Sequence, residues 1–367
     1  MSQPRRSALL LFALSSVLYP QQPSAPLRIG VVGLVHGHVA GFFSAAINRN
    51  DVQIAGVAEP DRKLFDRYAQ QYRLDPNLYS STLDDMISRA HPQAVVVYTN
   101  TFDHRKVVEE CARRSIHVMM EKPLAVSYED ARAISTAATT GKIQVLVNYE
   151  TTWYASNEAA FEIVQHGELG TIHKMVFHDG HPGPKEIHVA PEFLAWLTDP
   201  KLNGAGALYD FACYGADLAT RIMRGQRPQT VTAVTQHFKP IIYPRVDDEA
   251  NVILTYPSAV AILQASWNWP FDRKDMEIYG QTGYVKTIVR EKIEFRRQGQ
   301  KTSQTANARP LIAPYDDPLH YFAALIKGKA HEEFLSSLST NLAVSEILDA
   351  ARRSAESGNT VTLPLAQ

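Results

Sequence analysis

From Leu27 to Tyr149 the chain alternates short apolar runs with longer amphipathic ones. The apolar runs are LRIGVVG (27–33), VQIAGVAE (52–59), AVVVYT (94–99), IHVMME (116–121) and KIQVLVNY (142–149), rich in Val and Ile. β-Branched side chains lose freedom in a helix and pack well on a pleated surface, so these runs read as strands. The segments between them, 38–48, 61–72, 83–90, 104–114 and 127–139, read as helices. Strands that are apolar throughout must be covered on both faces, and a helix between strands makes the connection a crossover. Together these conditions predict an α/β, doubly wound parallel sheet of the nucleotide-binding kind.

After residue 150 the texture changes. TIHKMVFHDG (171–180), TVTAVTQHF (230–238), EANVILTYP (249–257), AVAILQASWNW (259–269), DMEIYG (275–280) and YVKTIVR (284–290) follow one another as strand-like runs. Several alternate apolar with polar residues, the mark of strands wet on one face. A helical segment interrupts them at 205–224, and a last helix is expected over about 338–355. The reading is a Rossmann-type domain over 27–150, then an α+β domain over 151–367 built on a large, mostly antiparallel open sheet. A chain of 367 residues is long for one core, which agrees with two domains. An open sheet of that width is expected to bury one face against a second copy, so a homo-oligomer is predicted.

The first 26 residues differ from the rest. Arg5 and Arg6 precede an apolar run from Ala8 to Leu18, and a Pro/Gln/Ser stretch leads to Pro26. A basic start before a short apolar run is the pattern of an export signal, with the paired arginines open to a twin-arginine or an ordinary reading. The run is short for a bilayer span, and no second long apolar run follows, so the mature protein is expected to be exported, periplasmic and without a membrane span. A net charge of −1 and the lack of a dense basic run argue against nucleic acid as a partner. Cys111 and Cys213 are far apart and lack metal-ligand spacing, so neither a disulfide framework nor a zinc site is expected.

The turn after the first strand is GLVHGHVAG, residues 33–41. A dinucleotide fold wants Gly-x-Gly-x-x-Gly here: a tight turn, close backbone approach to the pyrophosphate, and close helix–sheet packing. Only Gly33 is in register; Val35 and His38 hold the other two positions, with Gly37 and Gly41 available for the close contacts. His36 and His38, at the start of the next helix, are expected to donate hydrogen bonds to the pyrophosphate. Glu59 ends the second strand, where an acid binds the adenosine ribose and repels a 2′-phosphate. NAD is therefore expected over NADP, with Arg62 as a softening influence. The Gly33-x-x-x-Gly37 spacing also fits a short-chain dehydrogenase turn, but none of the 16 tyrosines has the required lysine four residues on. A metal site at His36 and His38, or at HDGH (178–181) with His188, would need further ligands that the pattern does not supply. No metal is expected; His181 is read as part of a polar loop near the substrate.

The stretch from Thr99 to Ile134, TNTFDHRKVVEECARRSIHVMMEKPLAVSYEDARAI, is more specific. It resembles the Gfo/Idh/MocA oxidoreductase family, whose members act mostly on sugars and cyclitols. The resemblance covers roughly residues 27–364. It implies a cofactor-side role for Thr99, Asn100 and His104, a cis proline at Pro123, and Glu121-Lys122 at the cleft between the domains. Lys122 would then hold the substrate oxygen beside the nicotinamide, with Glu121 keeping it placed. In NGAGALYDFACYGADLA (203–219) the family's Asp-x-Gly-x-His-x-x-Asp appears as Asp210, Ala212, Tyr214 and Asp217. A tyrosine there resembles the glucose–fructose oxidoreductase branch. Asp210 and Tyr214 share one helix face. Tyrosine ionises near pH 10, and Lys122 is expected to lower that value and make Tyr214 the proton carrier, with Asp210 on a substrate hydroxyl. Asn148-Tyr149-Glu150 departs from the family's Asn-x-Arg, which alters the cleft wall; Asn148 and Tyr149 are still expected at the substrate. The expected function is NAD(P)-dependent oxidation or reduction of a sugar hydroxyl by an exported protein carrying a tightly bound cofactor. Two rivals stand beside it: a redox-neutral, NAD-dependent glycosidase or lyase, and a non-catalytic sugar or nucleotide sensor.

Overall fold

The computed structural model describes residues 25–332 and 334–365. The export-signal reading of Arg5 to Leu18 lies outside the described residues. Residues 27–148 form β1 (Leu27–Val32), α1 (Val39–Ala46), β2 (Val52–Ala58), α2 (Arg62–Tyr72), β3 (Tyr79–Ser80), α3 (Leu83–Ala90), β4 (Ala94–Val97), α4 (His104–Ala112), β5 (His117–Glu121), α5 (Tyr128–Gly141) and β6 (Val145–Asn148). The six strands are parallel in the order β3-β2-β1-β4-β5-β6. The order reverses between β1 and β4, and a crevice opens at the carboxyl ends of the strands there. The expected strands and helices are present, with ends shifted by a few residues. Caps set several helix starts: Asp61, Thr82 and Ser127 each accept a hydrogen bond from a first-turn amide.

The rest of the chain gives α6 (Ala155–Gln165), β7 (Ile172–Gly180), α7 (Pro191–Leu197), α8 (Pro200–Asn203), α9 (Ala207–Ile222), β8 (Thr230–Gln236), β9 (Glu249–Thr255), β10 (Val260–Ser266), β11 (Arg273–Gly280), β12 (Gly283–Val289), β13 (Lys292–Arg297), β14 (Gln304–Asn307), α10 (Pro318–Ile326), α11 (Leu338–Ser357) and β15 (Val361–Thr362). The nine strands run in the order β14-β13-β12-β11-β7-β10-β9-β8-β15, antiparallel except for the β7–β10 pair. Alternate residues such as Met175, Phe177, Ala261, Leu263, Val252 and Leu254 point to a face covered by α9 and α11. Helix α9 is buried on nearly every side. Gly215 allows it to lie that close, because a Cβ there would sit 2.9 Å from Leu263 and 3.0 Å from Phe177. The opposite face is open and exposes Val234, Ile253 and Val260.

The two sheets divide near residue 150, but the cores do not divide so simply. Leu319, Tyr321, Phe322 and Ala323 of α10 pack into the apolar cluster formed by β1, α1 and α2. The second half of the chain thus returns one helix to the first sheet. No helix among the described residues is long and apolar enough to cross a membrane.

Candidate active site

Strand β5 delivers Glu121 to the carboxyl edge of the parallel sheet, and the cis Lys122–Pro123 peptide turns the chain away. The Lys122 ammonium donates to the Asp210 carbonyl at 2.9 Å and to Asp210 Oδ1 at 2.6 Å. The other carboxylate oxygen of Asp210 accepts from Trp267 Nε1 at 2.9 Å. Lys122 and Asp210 are 6% and 5% exposed, so each charge is viable only because the other is there. Burial pulls the Lys122 ammonium down, but the charge and hydrogen bond of Asp210, with Cys213 and Glu121, together hold it above the ordinary lysine range. Burial likewise pushes the Asp210 carboxyl up, and the charge and hydrogen bond of Lys122, with His181 and the Trp267 hydrogen bond, together hold it below the usual carboxylate range. Sequence reading thus placed Lys122, Asp210 and Tyr214 correctly beside one another. It did not foresee Trp267, whose place depends on the register of a distant strand.

Tyr214 lies one turn along α9. Lys122 Nζ and Lys274 Nζ each stand 5.2 Å from its ring centroid, with Tyr149 edge-on at 5.4 Å and Phe211 stacked at 6.1 Å. The expectation that Lys122 lowers its ionisation is not met. Burial, then the neighbouring Cys213, Glu121 and Asp210, hold the hydroxyl well above its ordinary value. The Lys122 charge is already neutralised by Asp210 at contact distance, so little of it is left for the phenol. Lys274, unread in the sequence, is the second cation. It faces Asp179 in the β7–β11 ladder and ion-pairs with Glu150, which also holds Arg290. The signal for it was the acid at position 150, where the family has a base: an acid on the cleft wall needs a cation from elsewhere. Asp179 is 2% exposed, and among the described residues neither carboxyl oxygen has a hydrogen-bond partner. Burial pushes it well above the carboxylate range, against the pull of Lys274. A cavity of about 680 Å³ is lined by His38, Lys122, His181, Asp210, Tyr214 and Lys274.

The turn after β1 contains the dinucleotide features in altered form. Gly33 has φ +77°, and a Cβ would meet Thr99 atoms at 2.7 to 3.0 Å, so glycine is required there. The loop amides of Gly33, Leu34, His36 and His38 are bonded to Ala58 O, Glu59, Tyr98 O and His36 Nδ1. Among the described residues the amides of Val35 and Gly37 have no acceptor. Two unpartnered donors at a helix N-terminus fit a pyrophosphate. Thr99 and Gly33 line a hollow on the adenosine side, and Glu121, Asn148 and His38 line another on the nicotinamide side. The residues present therefore fit a dinucleotide.

Several predicted contacts sit behind the cleft wall rather than on it. His36 is 2% exposed, and its Nδ1 accepts from the His38 amide, so that nitrogen cannot donate to a phosphate. Burial, then His38, pull it far below the ordinary histidine range and keep it neutral. His104 is buried with Nδ1 against the Leu124 carbonyl at 3.2 Å; it supports the Lys122–Pro123 turn from beneath. Tyr149 is fully buried and backs the Tyr214 ring instead of facing substrate. Glu59 accepts from Leu34 N at 2.8 Å and Asp61 N at 2.9 Å, so it first holds the loop in shape. Asn100 caps the turn before α4, accepting from Asp103 N at 3.0 Å. Three others lie on cavity walls, His38 and His181 on the wall shared with Lys122 and Tyr214, and Asn148 on that of the neighbouring hollow. His38 Nδ1 meets Glu121 at 3.0 Å with its ring half exposed, Asn148 accepts from Trp153 Nε1 at 3.0 Å, and His181 accepts from Gly183 N at 2.9 Å. His36, His38 and Glu121 converge as a possible ligand set, but the contacts just described already engage a ring nitrogen of each histidine and the carboxylate.

The buried histidines predict an acid-side loss of stability. Burial pulls His104 down to about 4. A group depressed on folding stabilises above its unfolded pKa, near 6.5, and that contribution is lost as pH falls towards its folded value. The loss from His104 is about 3 kcal/mol between pH 6.5 and 4, and His36 adds in the same direction. Thermal melts should therefore fall over this interval. A His104→Gln variant should lose distinctly less Tm across it; an unchanged pH slope would count against the assignment.

Comparison with known proteins agrees with this geometry. Residues 27–149 match the family model for the GFO/IDH/MocA oxidoreductase family, NAD-binding Rossmann fold, and residues 157–286 match the GFO/IDH/MocA C-terminal domain. A trans-1,2-dihydrobenzene-1,2-diol dehydrogenase of Macaca fuscata fuscata is 24% identical over 237 residues, 64% of this chain and 66% of its own length, just under two thirds. An inositol dehydrogenase homolog of Azotobacter vinelandii, solved with NAD+, superposes with TM-score 0.80 at 20% identity over 92% of this chain and 98% of its own. An aldose–aldose oxidoreductase of Caulobacter crescentus, solved with glycerol, superposes with TM-score 0.76 at 22% identity over 92% of this chain and 100% of its own.

Proposed function

The chain belongs to the Gfo/Idh/MocA family of NAD-binding oxidoreductases, and from that premise we propose that it interconverts a hydroxyl and a carbonyl on a sugar or sugar derivative. The observation that carries this is the Lys122–Asp210 pair, buried at the carboxyl edge of the parallel sheet and opening with Tyr214 onto one cavity. When bound, the nicotinamide supplies or takes up the hydride. Lys122 steadies the substrate oxygen as negative charge grows on it. Asp210 accepts from a neighbouring substrate hydroxyl and keeps Lys122 charged. Tyr214 is held as the phenol, the form that gives a proton to the carbonyl oxygen in reduction; oxidation runs the same transfer backwards. The dihydrodiol dehydrogenase, the inositol dehydrogenase homolog and the aldose–aldose oxidoreductase are each named for work on hydroxyl-bearing carbon, which supports the substrate class.

NAD is proposed over NADP. Glu59 follows β2 with an acid, and Arg62 is taken up by Asp66 at 2.7 Å and by the Tyr79 ring at 4.5 Å. Export is proposed from the Arg5–Leu18 pattern. A dehydrogenase outside the cytoplasm has little free dinucleotide to draw on, so it must carry its cofactor and reset it with a second substrate. The name of the aldose–aldose oxidoreductase, pairing two aldoses, supports such a cycle. The open face of the nine-stranded sheet, with Val234, Ile253 and Val260 exposed, is proposed as the contact between copies. To test this, the protein should be isolated from the periplasmic fraction and denatured, and released nicotinamide measured by absorbance and mass. Dinucleotide near one per chain is expected, from a particle that light scattering weighs as a dimer or larger. Protein that is empty as isolated and takes up no added NAD or NADP would end the oxidoreductase reading.

A further inference from the structure

The second domain sends one short helix back over the dinucleotide loop. Trp196 of α7 donates through Nε1 to the Val35 carbonyl at 3.2 Å, and it is 5% exposed. The Phe193 ring lies 4.6 Å from that of His36, and a Cβ on Gly37 would stand 3.1 Å from it. Glu192 ion-pairs with Arg67 of α2, and Lys201 of α8 lies 5.4 Å from the Phe102 ring. These contacts join two domains around the loop that carries the unpartnered Val35 and Gly37 amides. The same segment continues into the substrate cavity, where Ile187, Val189, Ala190, Phe193 and Leu197 form part of the wall. It is bounded by glycines in conformations that other residues rarely adopt, Gly183 at φ +127° and Gly204 at φ +98°. Those end points suit a segment that must lift as a unit.

We propose that residues 184–203 form a roof over the cofactor's pyrophosphate, with Trp196 as the latch, so that the dinucleotide stays on the protein between turnovers. The inference rests on the NAD-dependent reading above and adds the element that holds the cofactor in. A dinucleotide laid on the Val35 and Gly37 amides lies beneath α7. It can leave only when the Trp196–Val35 hydrogen bond and the Glu192–Arg67 pair open together. Loosely bound dehydrogenase cofactors exchange freely along an open crevice; here the crevice is crossed by a helix from the other domain.

The test loads wild type and Trp196→Ala with NADH, chases with excess NAD, and follows loss of protein-bound nicotinamide fluorescence. Removing the latch should speed dissociation by about tenfold or more, the effect of losing a buried hydrogen bond and an aromatic contact. Arg67→Ala alters an exposed side chain and should speed it by about twofold to threefold. Circular dichroism checks that each variant is folded; should Trp196→Ala fail that check, Arg67→Ala decides alone. A folded variant that releases NADH at the wild-type rate overturns the roof and leaves the oxidoreductase reading intact. Tighter or faster NADH binding by Trp196→Ala also overturns it, since the helix would then be an obstacle. Wild-type protein that binds no dinucleotide at all overturns both.

Discussion

Lys122→Met is expected to reduce turnover by about 10³-fold or more while leaving dinucleotide affinity within about threefold. The variant keeps most of the side-chain volume and removes only the ammonium proposed to steady the substrate oxygen. Its effect on the fold is separable from its effect on chemistry. Asp210 is 5% exposed, and without Lys122 its carboxylate has, among the described residues, only Trp267 as a side-chain donor. Breaking one side of a buried pair in this way costs about 3–5 kcal/mol, unless the carboxyl takes up a proton. The single variant should therefore melt early at neutral pH and recover part of that loss in mild acid. Lys122→Met/Asp210→Asn replaces the pair with two neutral groups and preserves the Trp267 hydrogen bond to an amide oxygen. It should regain most of the stability and none of the activity. Steady-state rates on the loaded protein, with thermal melts from pH 5 to 8, separate the two effects. A Lys122→Met protein that turns over within about tenfold of wild type would sink the assigned role. A sensor built on this scaffold would show no turnover for any variant to lose.

The fold was legible where burial imposes a pattern on the sequence. Strands β1, β4 and β6 lie between helical layers and are almost wholly buried, so they stand out as Val-rich and Ile-rich runs. β3 has only two residues, too few for any period. β13 reads KIEFRR, with only Ile293 and Phe295 buried between charged residues, and β14 reads QTAN; both lie towards the outer edge of the open sheet, where so few apolar positions are required that the runs do not stand out. Helix α10 was invisible as part of the first domain because its partners β1, α1 and α2 all lie far earlier in the chain, before residue 73. The site divides along the same line. Lys122, Asp210 and Tyr214 each sit in a local motif whose shape is fixed by a few neighbours. Trp267, just past the end of β10, and Lys274, in β11, come from separate parts of the nine-stranded sheet, and only its register brings them to Asp210 and Tyr214. The histidines show the converse failure. A motif can place His36 at the loop, but only the packing of Phe193 and Trp196 decides that its ring turns inward.

Tyr214→Phe is expected to lower kcat by about 10²–10⁴-fold with little change in KM. It should melt close to wild type, because Phe keeps the contacts with Tyr149 and Phe211 and removes only the oxygen. A stable, inactive variant would still fit two accounts, a lost proton donor or a lost substrate contact, and the pH profile separates them. Burial holds the Tyr214 phenol protonated well above its ordinary range, so the wild-type reductive rate should stay level through neutral and mildly alkaline pH. A group whose pKa is raised on folding stabilises the protein at low pH and gives that up only as pH climbs beyond 10, so the plateau and the fold should end together. In Tyr214→Phe the proton must come from solvent. Its residual rate should rise as pH falls and should respond to small buffer acids that fit the cavity, whereas wild type should ignore them. A variant with a flat profile and no buffer response would show that Tyr214 holds the substrate but carries no proton. Lys274 would then be the next donor to test. Its ammonium stands 5.2 Å from the same ring, and burial, followed by the Lys122 charge, draws it below the ordinary lysine range.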